Sequence, residues 1–565
     1  MFATFIRKLN HLAEDPVLRR WLLGRIIGDW RSQSMARSLP PYLDGIPFNA
    51  DLCPRLGSRE LRGARPTAPL EIHLAGFSQT VLPGDEDNLV SHIFQDTESL
   101  LALHRFCWWP HCVGEDTASW VNVIFDSWVR RFGDDRDGWA WHPYTVAERL
   151  INLIKFAKVH GLPGEKVETL TFLSHHGAAI FSHLEYFGEN NTGNHLANNG
   201  RGLFLGGLEL GLDQWADVGG RILIEEGRRI FTSNGLLREG SSHYHLLVTR
   251  WYAECWLTAR KFGRPEAAAL EEIAGRSLSV SPLFDLPGGL PLIGDISPDC
   301  PPTYLAGLAS GEPLGWLGTL PAGERRLLSD LMAENLSENL DKNFAKDGWL
   351  RRDYGPWSLL LHASPGGWSY LPGHGHRDFG GFELHADGLP LLCDLGRRSY
   401  GPSGDGDVAA AMHNTIIIDE NEPYPVNRPY YDDRFRNYIA GPNPEVLLTA
   451  DGVSLQTRSF ARLRGVTTWN RTWRLTENAV SVTDHIDGNG RHHIERYLHT
   501  AQPVGEANDG YRLGSVRLSA KGKINRRPSK RWTSYGMNEP ATAIVISNDV
   551  ELPWSSSILL EKTPE

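Results

Sequence analysis

Residues 371–401 read LPGHGHRDFGGFELHADGLPLLCDLGRRSYG and carry the pattern on which the fold assignment depends. Short apolar runs alternate with Gly, Asp and His, and HNTIIIDE at 413–420 continues in the same way. Such short, punctuated apolar runs predict β-strands. The runs at 445–457, 466–476 and 479–487 have the same character. We therefore predict that residues 346–565 form an antiparallel β domain of stacked sheets.

The sequence before this region has a helical periodicity. TVAERLINLIKFAKVHG at 145–161 places apolar residues three and four positions apart and closes with Gly161. Short Gly-, Asn- and Pro-rich links join it to similar stretches, so neighbouring helices must pack antiparallel. We predict a mainly helical domain over 1–345, packed tightly against the β domain with a ligand cleft at the interface. The further helical stretches are 167–187, 196–210, 218–231, 244–262, 265–277 and 324–340.

Bulk composition excludes several classes of protein. The chain has 565 residues, 41% apolar residues and a net charge of −11, which indicates a multidomain globular protein that does not bind nucleic acid. The six cysteines show no metal or disulfide spacing, so we expect buried thiols, and we expect most of the 19 Trp in the core. The first 26 residues lack the apolar segment of a secretion signal. We expect a cytoplasmic location, with a periplasmic one as second choice, and no stable membrane insertion.

The opening stretch also supplies candidate metal ligands. Imidazole and carboxylate groups both bind zinc well. If residues 374–376 form a strand, the first and last of them share one face and point into one site. The spacing is loose, and a polar strand with surface histidines is an equally good interpretation. The candidates are His374, His376, Asp378, Asp394 and His413.

Three polar clusters interrupt the helical domain. EYFGENNTGNHLANNGRGL at 185–203 has more Asn than helix capping explains, so its amides and His195 are candidates for binding a carboxylate. LREGSSHYHLLVTRWY at 237–252 places Tyr244 between two histidines, which as cations would lower its pKa and make it a base. An ordinary half-buried aromatic is the alternative. WAWHPYTVAERLINLIK at 139–155 contains Arg149, suited to a sugar carboxylate or to a structural salt bridge.

In their order along the chain, these clusters resemble the heparinase II/III-like polysaccharide lyase family. The resemblance covers roughly residues 105–500. It implies an α+β multidomain fold with an incomplete α/α toroid over 1–345 and an antiparallel β-sandwich over 346–565. Two of its motifs, WHPYTVAERLINLIK and GNHLANNGRGL, together with the N-terminus, are closer to relatives associated with bacterial exopolysaccharide. The matching stretches are WHPYTVAERLINLIK, GNHLANNGRGL, E-x-S-x-x-Y-H at 239–245, LPLIGD at 290–295, HGHRD, FEL, LLCDLG, HNTIIID and 471–499.

The resemblance also implies a role for each site residue. Asn194 and His195 would bind the carboxylate of a uronic acid. Tyr244 and His374 would transfer protons in a β-elimination, which removes the C5 proton and expels the O4-linked sugar. One structural zinc ion per chain would be held by His376, Asp394 and His413. Substrate contacts are expected from Trp141, Tyr144, Arg149, Asn152, Glu239, Asp295 and Tyr400.

The expected function is cleavage of a uronic-acid-containing bacterial polysaccharide, and two other functions stay open at this point. An α/α-toroid glycoside hydrolase needs two catalytic carboxylates, for which Glu239 and Asp295 are available. A non-catalytic polysaccharide-binding or assembly factor would keep the fold and the zinc without the chemistry. In all three cases the expected partner is a polysaccharide, and an acidic one for the lyase.

Overall fold

The computed structural model describes residues 39–49, 52–61, 63, 65–111, 115–134, 138–188, 192–335, 347–363, 373–425, 444–507 and 510–563. The domain boundary near residue 345 lies outside these residues and stays a prediction. The N-terminal segment used for the location prediction and Cys112 also lie outside them. Within the described part of the chain, no helix is long and apolar enough to cross a membrane.

Helices dominate the chain up to residue 335, as the periodicity predicts. The helix predicted from Thr145 begins at Pro143, because proline suits the first turn, and it ends at His160 before Gly161. The helices are α1 Glu86–Val90, α2 Thr97–His104, α3 Glu115–Phe132, α4 Pro143–His160, α5 Lys166–Ser182, α6 Asn194–Leu210, α7 Asp213–Ile230, α8 Ser242–Lys261, α9 Ala267–Val280, α10 Pro302–Ser310, α11 Gly315–Thr319 and α12 Ala322–Asn335.

Successive helices pack against each other closely enough to need small residues at the contact. A Cβ at Gly219 of α7 would lie only 2.3 Å from the backbone nitrogen of Phe204 in α6. Glycine therefore sets the distance between these two helices. The helix ends near Asn194 and Ser242 then face the β domain, where the candidate site is found.

The β-strands also follow the predicted order, with one addition. A hairpin of β1 Leu70–Leu74 and β2 Phe77–Val81 lies inside the predicted helical domain and was not expected. The other strands are β3 Trp349–Tyr354, β4 Trp357–His362, β5 Gly381–Ala386, β6 Leu389–Leu392, β7 Ile416–Ile418, β8 Glu445–Thr449, β9 Gly452–Thr457, β10 Val466–Leu475, β11 Ala479–Gly488, β12 Arg491–Thr500, β13 Val504–Ala507, β14 Gly510–Leu513, β15 Val516–Ala520, β16 Lys523–Ser534, β17 Met537–Glu551 and β18 Trp554–Lys562.

These strands form stacked antiparallel sheets around one apolar core. The sheet orders are β3-β4-β5-β6, β16-β17-β12-β7 and β13-β14-β15-β18-β11-β10-β9-β8. Along β11, Val480, Val482 and Ile486 alternate with more exposed residues and enter the core. Such alternation is typical of a strand in a sheet with one buried face.

The expectations for Trp and Cys hold in part. Trp109, Trp120, Trp128, Trp215, Trp251, Trp256, Trp357, Trp469 and Trp473 are fully buried, which confirms their role as core residues. Cys255, Cys300 and Cys393 are buried free thiols, as expected. The prediction is wrong for Cys53, which is exposed, and Cys107 is only partly buried.

Candidate functional site

A cleft of about 410 Å³ lies between the helical part and the β part of the chain. The helical part contributes residues at the start of α6 and α8, and the β part contributes the loops at 373–374 and 397–400. Its walls contain both partners of the predicted proton transfer and both predicted carboxylate-binding residues. The lining residues are Thr97, Glu98, Leu101, Arg105, Trp139, His142, Tyr144, Asn194, His195, Tyr244, Asp295, Pro298, Asp299, Gly373, His374, Arg397 and Tyr400.

The E-x-S-x-x-Y-H run builds one side of the cleft. Ser241 caps α8: its hydroxyl accepts a hydrogen bond from the backbone N–H of Tyr244 (3.1 Å) and donates one to the carbonyl of Asp295 (2.8 Å). Gly294 lies where this turn meets the His374 loop, and a Cβ there would approach two carbonyl oxygens to 2.7 Å. Capping of one helix thus fixes Tyr244 and Asp295 relative to each other.

Asn194, the first residue of α6, is clamped by a buried carboxylate. Its backbone N–H donates to Glu239 Oε1 at 2.7 Å, and its side-chain Nδ2 donates to Glu239 Oε2 at 2.6 Å. The same Nδ2 lies 3.0 Å from His374 Nε2. Glu239 therefore positions the amide rather than facing the substrate, and both N–H groups of that amide have partners.

His374 and Tyr244 form the centre of the cleft. Their rings stack with centroids 3.4 Å apart and planes 10° apart. His374 Nδ1 lies 3.0 Å from Asp295 Oδ2, so Nδ1 carries the proton and Nε2 accepts from the Asn194 amide. The Tyr244 hydroxyl shares a hydrogen bond of 2.7 Å with the Tyr400 hydroxyl. The site thus combines an oriented imidazole with a phenol.

The prediction that neighbouring histidines lower the pKa of Tyr244 is wrong. Burial, followed by the carboxylate of Asp299, raises the pKa of Tyr244 well above its ordinary value. Burial also lowers the pKa of both His243 and His245 to about 3, so neither is a cation. The Nδ1 atoms of these two rings lie near backbone N–H groups of other segments, and His245 packs among aromatic rings. Tyr244 is therefore a protonated phenol in this structure.

His195 is held by a buried carboxylate at the cleft wall. Its Nδ1 lies 2.8 Å from Glu185 Oε1. Desolvation within the cleft opposes the charged ring of the half-exposed His195, but Glu185 outweighs it, so the net effect raises the pKa of His195. Burial alone would raise the pKa of Glu185, yet His195 and its other partners lower it to about 2. The Glu185 carboxylate therefore favours the charged form of the His195 imidazole, which suits an anionic ligand.

A second cluster lies behind the cleft. His376, Asp394 and His413 bring one potential ligand atom each to within 4.8 Å of one another. His413 Nδ1 is 2.7 Å from Asp394 Oδ2. His376 Nδ1 and His413 Nε2 are both buried and have no hydrogen-bond partner among the described residues. Unpartnered buried imidazole nitrogens beside a carboxylate fit the donor set of a zinc site.

Asp295 connects the two clusters. His376 Nε2 lies 2.8 Å from Asp295 Oδ1, and Arg397 Nη1 donates to both carboxylate oxygens. The prediction of a shared strand face is wrong, because residues 373–378 form a loop rather than a strand. His374 turns to the cleft and His376 to the second cluster, and Asp378 pairs with His362 instead.

Three predicted substrate contacts are wrong because their side chains are buried in the core. Arg149 is 0% exposed and donates to the carbonyls of His104 and Ala140. Trp141 is 3% exposed and lies under that guanidinium. Asn152 donates to the carbonyl of Arg105 and therefore supports the cleft wall from behind. Arg149 is thus a structural residue, but its partners are carbonyls, His176 and aromatic rings rather than the carboxylate of the predicted salt bridge.

The other predicted contacts reach the cleft or support it, and several lining residues were missed. Tyr144 and Tyr400 line the cleft, and Tyr144 donates to Asp299. Arg105, which also pairs with Asp299 (2.7 Å), was not predicted, because a single Arg after a helix gives no signal. Trp139, Arg397 and Glu185 lie inside the quoted motifs. The motifs therefore indicated the right segments but did not single out these three residues.

Comparisons with known proteins agree with this fold. Residues 338–555 match the family model described as Heparinase II/III-like, C-terminal. A solved structure titled heparinase III has a TM-score of 0.61 at 16% identity, over 83% of this chain and 78% of that chain. A mutant of heparan sulfate lyase HepC from Pedobacter heparinus has a TM-score of 0.51 at 16% identity, over 88% of this chain and 82% of that chain. The search of curated proteins gives no match.

These likenesses confirm the fold class and the resemblance. The helical part followed by antiparallel sheets is the architecture of an incomplete α/α toroid with a β-sandwich domain. The family match covers the loops that carry His374, His376, Asp394, Arg397 and His413. At 16% identity the solved structures establish the fold of this chain and leave its reaction to be inferred from the cleft.

Proposed function

We propose that this chain, whose residues 338–555 match the heparinase II/III-like C-terminal domain, is a polysaccharide lyase that cleaves uronic-acid-containing chains by β-elimination. The observation that carries the proposal is the meeting of Asn194, His195, Tyr244 and His374 in one cleft, although they come from three distant segments. Their chemistry matches the three needs of the reaction. These are a neutralised carboxylate, a base for C5 and an acid for O4.

The carboxylate of the uronic acid would be bound between His195 and Asn194. His195 supplies a positive charge because Glu185 favours its protonated form. One N–H of the Asn194 amide stays with Glu239, and the other transfers from His374 Nε2 to the carboxylate. This exchange stabilises the charge that develops on the enolate-like state, an effect worth roughly 3 kcal/mol per donor. It also frees the Nε2 lone pair of His374.

Proton transfer then divides between the two stacked side chains. Asp295 holds the proton on His374 Nδ1, so Nε2 is the base that accepts the C5 proton. The C5–H electron pair forms the C4–C5 double bond, and the bond from C4 to the leaving oxygen breaks. Tyr244 keeps its proton because its pKa is raised, so it donates that proton to the leaving O4. Tyr400, which shares the phenolic hydrogen bond, would stabilise the resulting phenolate, and exchange with solvent would then return a proton to Tyr244 and remove the C5 proton from His374.

The hydrolase alternative is disfavoured by how the two candidate carboxylates are used. Glu239 is 2% exposed, and both of its oxygens accept from Asn194. Asp295 accepts from Arg397 and contacts His374 and His376. A glycosidase needs one carboxyl group that is protonated and one that faces the sugar or a water. Neither carboxylate is available in that way.

We also propose one structural zinc ion per chain, held by His376, Asp394 and His413. The two unpartnered imidazole nitrogens of the cluster support this ligand set. The ion would fix the loop that carries His376. His376 would then position other residues of the site rather than react itself. His376 Nε2–H donates to Asp295, and Asp295 orients His374.

The proposal is tested by incubating the purified chain with a panel of uronate polymers while ultraviolet absorbance is followed. Elimination creates a C4–C5 double bond that absorbs, whereas hydrolysis creates none. We further propose a bacterial polymer and a cytoplasmic site of action, so bacterial exopolysaccharides and alginate belong in the panel beside hyaluronan. Turnover without new absorbance would refute the lyase. Binding without turnover would favour a non-catalytic factor.

Glu185→Gln is expected to move the alkaline limb of the pH profile of kcat/KM to lower pH. The Glu185 carboxylate raises the pKa of His195, so its removal lets that pKa fall. The cationic ring is then lost at a lower pH, and uronate binding weakens there. The measurement is kcat/KM against pH for the variant and for Glu225→Gln, a carboxylate outside the cleft lining. An alkaline limb that stays in place would contradict the role of His195.

Trp139→Ala is expected to raise KM about five- to tenfold and to leave kcat unchanged. Trp139 lines the cleft with 51% of its surface exposed, so its ring is available to pack on a sugar face. Steady-state kinetics on a polymer substrate measure the effect, and Trp139→Phe should restore most of it. Leu314→Ala, at a residue that is 53% exposed and outside the cleft lining, is the matched control. Equal KM values for both alanine variants would contradict the assignment.

A further inference from the structure

The segment 510–538 has a charge opposite to that of the whole protein. The chain carries a net charge of −11, yet this segment contains no Asp or Glu. Its basic residues are Arg512, Arg517, Lys521, Lys523, Arg526, Arg527, Lys530 and Arg531. Most of them lie on or beside β16, and all of these except Arg517 and Arg531 are exposed.

β16 is placed where another molecule can reach it. It is the first strand in the sheet order β16-β17-β12-β7, so one of its edges faces away from the sheet. Lys521, Lys523, Arg527 and Lys530 make no ion pair with any carboxylate of the described residues. The nearby acids are already assigned, with Glu539 to Arg531 (3.1 Å) and Glu506 to Arg526 (4.0 Å). These four exposed cations are therefore not neutralised within the described part of the protein.

The C-terminal end of β16 packs against a loop that forms part of the cleft wall. The backbone N–H of Trp532 donates to the carbonyl of Leu395 at 2.8 Å. The guanidinium of Arg398 lies 5.9 Å from the centre of the Trp532 ring. Just beyond the strand, the Tyr535 hydroxyl accepts from the backbone N–H of Tyr400, a cleft residue, and donates to Asp96 beside the start of α2. The C-terminal end of the strand thus lies at the loop that carries Arg397 and Tyr400.

From this point the strand leads away from the cleft. A strand rises about 3.3 Å per residue, so Lys530 lies roughly 7 Å along it from Trp532 and Lys523 roughly 30 Å. We propose that β16 is an anion-binding track that holds the part of a polyuronate chain lying outside the cleft. This site rests on the proposed function, because it assumes that the cleft takes one segment of a longer acidic chain.

The charges of β16 also have a second explanation. Edge strands often carry charges that prevent pairing with another sheet, and lysines serve this purpose. Charges of either sign would do so, however, and an acidic protein repels an acidic polymer unless it presents a basic region. Single exposed cations contribute little, whereas several in a row attract a polyanion with an energy that falls as salt rises. The two explanations therefore predict different binding results.

The test is binding of the full chain to immobilised alginate and immobilised hyaluronan, both unsulfated uronate polymers, with elution by increasing NaCl. The triple variant Lys523→Gln, Arg527→Gln, Lys530→Gln is compared with Arg221→Gln, Arg228→Gln, Lys261→Gln on α7 and α8. Both variants lose three charges. The track predicts about five- to tenfold weaker binding at low salt for the first variant and retention close to wild type for the second.

Three results would overturn the track. One is an equal change in both variants, which would mean that net charge alone decides retention, and the second is unchanged retention of the β16 variant. The third is a wild-type chain that binds neither polymer. The lyase proposal is tested separately, because it depends on the ultraviolet absorbance of the product. Retention that depends on β16 without any product would refute the lyase and leave the track.

Discussion

Replacing Tyr244 by phenylalanine is expected to lower kcat by roughly 10²–10⁴-fold while KM changes little. The variant keeps the ring that stacks on His374 and removes only the hydroxyl that shares a hydrogen bond with Tyr400. Without the phenolic proton, the leaving O4 departs as an alkoxide. Steady-state kinetics measure the loss, and circular dichroism with a melting curve shows whether the fold is intact.

Two controls separate this role from a structural one. Tyr252→Phe makes the same chemical change on the same helix, where the hydroxyl donates to the carbonyl of Leu223 in the core. It should lower stability by about 1 kcal/mol and leave kcat unchanged. A uronide with an activated leaving group at C4 should restore turnover to Tyr244→Phe and not to His374→Ala. Rescue of His374→Ala alone would reverse the acid and base assignments.

Replacing His413 by alanine is expected to remove the metal and much of the stability of the β domain. The purified wild-type chain should contain about one zinc per chain, and the variant should contain almost none. His413 is fully buried beside Asp394, so its loss leaves a carboxylate without its partner in the interior. Metal analysis and melting temperature measure the two effects, and a chelator should lower the melting temperature of the wild type only.

His385→Ala is the matched control, because His385 is a buried histidine of β5 outside the cluster. Its removal should cost stability without changing the zinc content. A wild-type chain with no stoichiometric metal would contradict the ligand assignment. His413 would then be explained as the charged partner of Asp394, whose carboxylate opposes the effect of burial and raises the pKa of the ring.

The parts of the site that the sequence predicted are those where one local rule sets the residue. The helix predicted from residue 244 is α8, whose cap Ser241 lies three residues before Tyr244. The Asn-rich run at 185–203 reaches the cleft at Asn194, the first residue of α6, whereas Asn198 and Asn199 lie inside that helix and bond to Tyr144 and Glu185. Local chemistry and fold agree at these positions, so the prediction was possible.

The errors arose where several faces of one helix are all buried. Of the four contacts predicted in the motif at 139–155, Tyr144 reaches the cleft and Trp141, Arg149 and Asn152 do not. Periodicity gives the spacing of a helix face and not which neighbour covers it. Arg149 is a polar residue inside the core, satisfied by carbonyls and by the rings of Trp128 and Trp141. A buried Arg and a substrate-binding Arg look alike in the sequence.

Other features depend on contacts between distant segments and left no local signal. Asp299 joins Arg105 and Tyr144, which are separated from it by 194 and 155 residues. Asp295 joins His374 to His376 although these two histidines point into different clusters. The hairpin of β1 and β2 is short and lies among helices, so composition alone assigned its segment to the helical part.

The central claim is that the glycosidic bond breaks by elimination, and reaction in water enriched in heavy oxygen tests it most directly. The proposed steps move the C5 proton to His374 and the Tyr244 proton to the leaving oxygen, and no water enters either fragment. Mass spectrometry of the products should therefore find no heavy oxygen in the newly formed ends beyond slow exchange, together with an unsaturated uronate at one end. Heavy oxygen in every new reducing end, without the unsaturated product, would contradict the account.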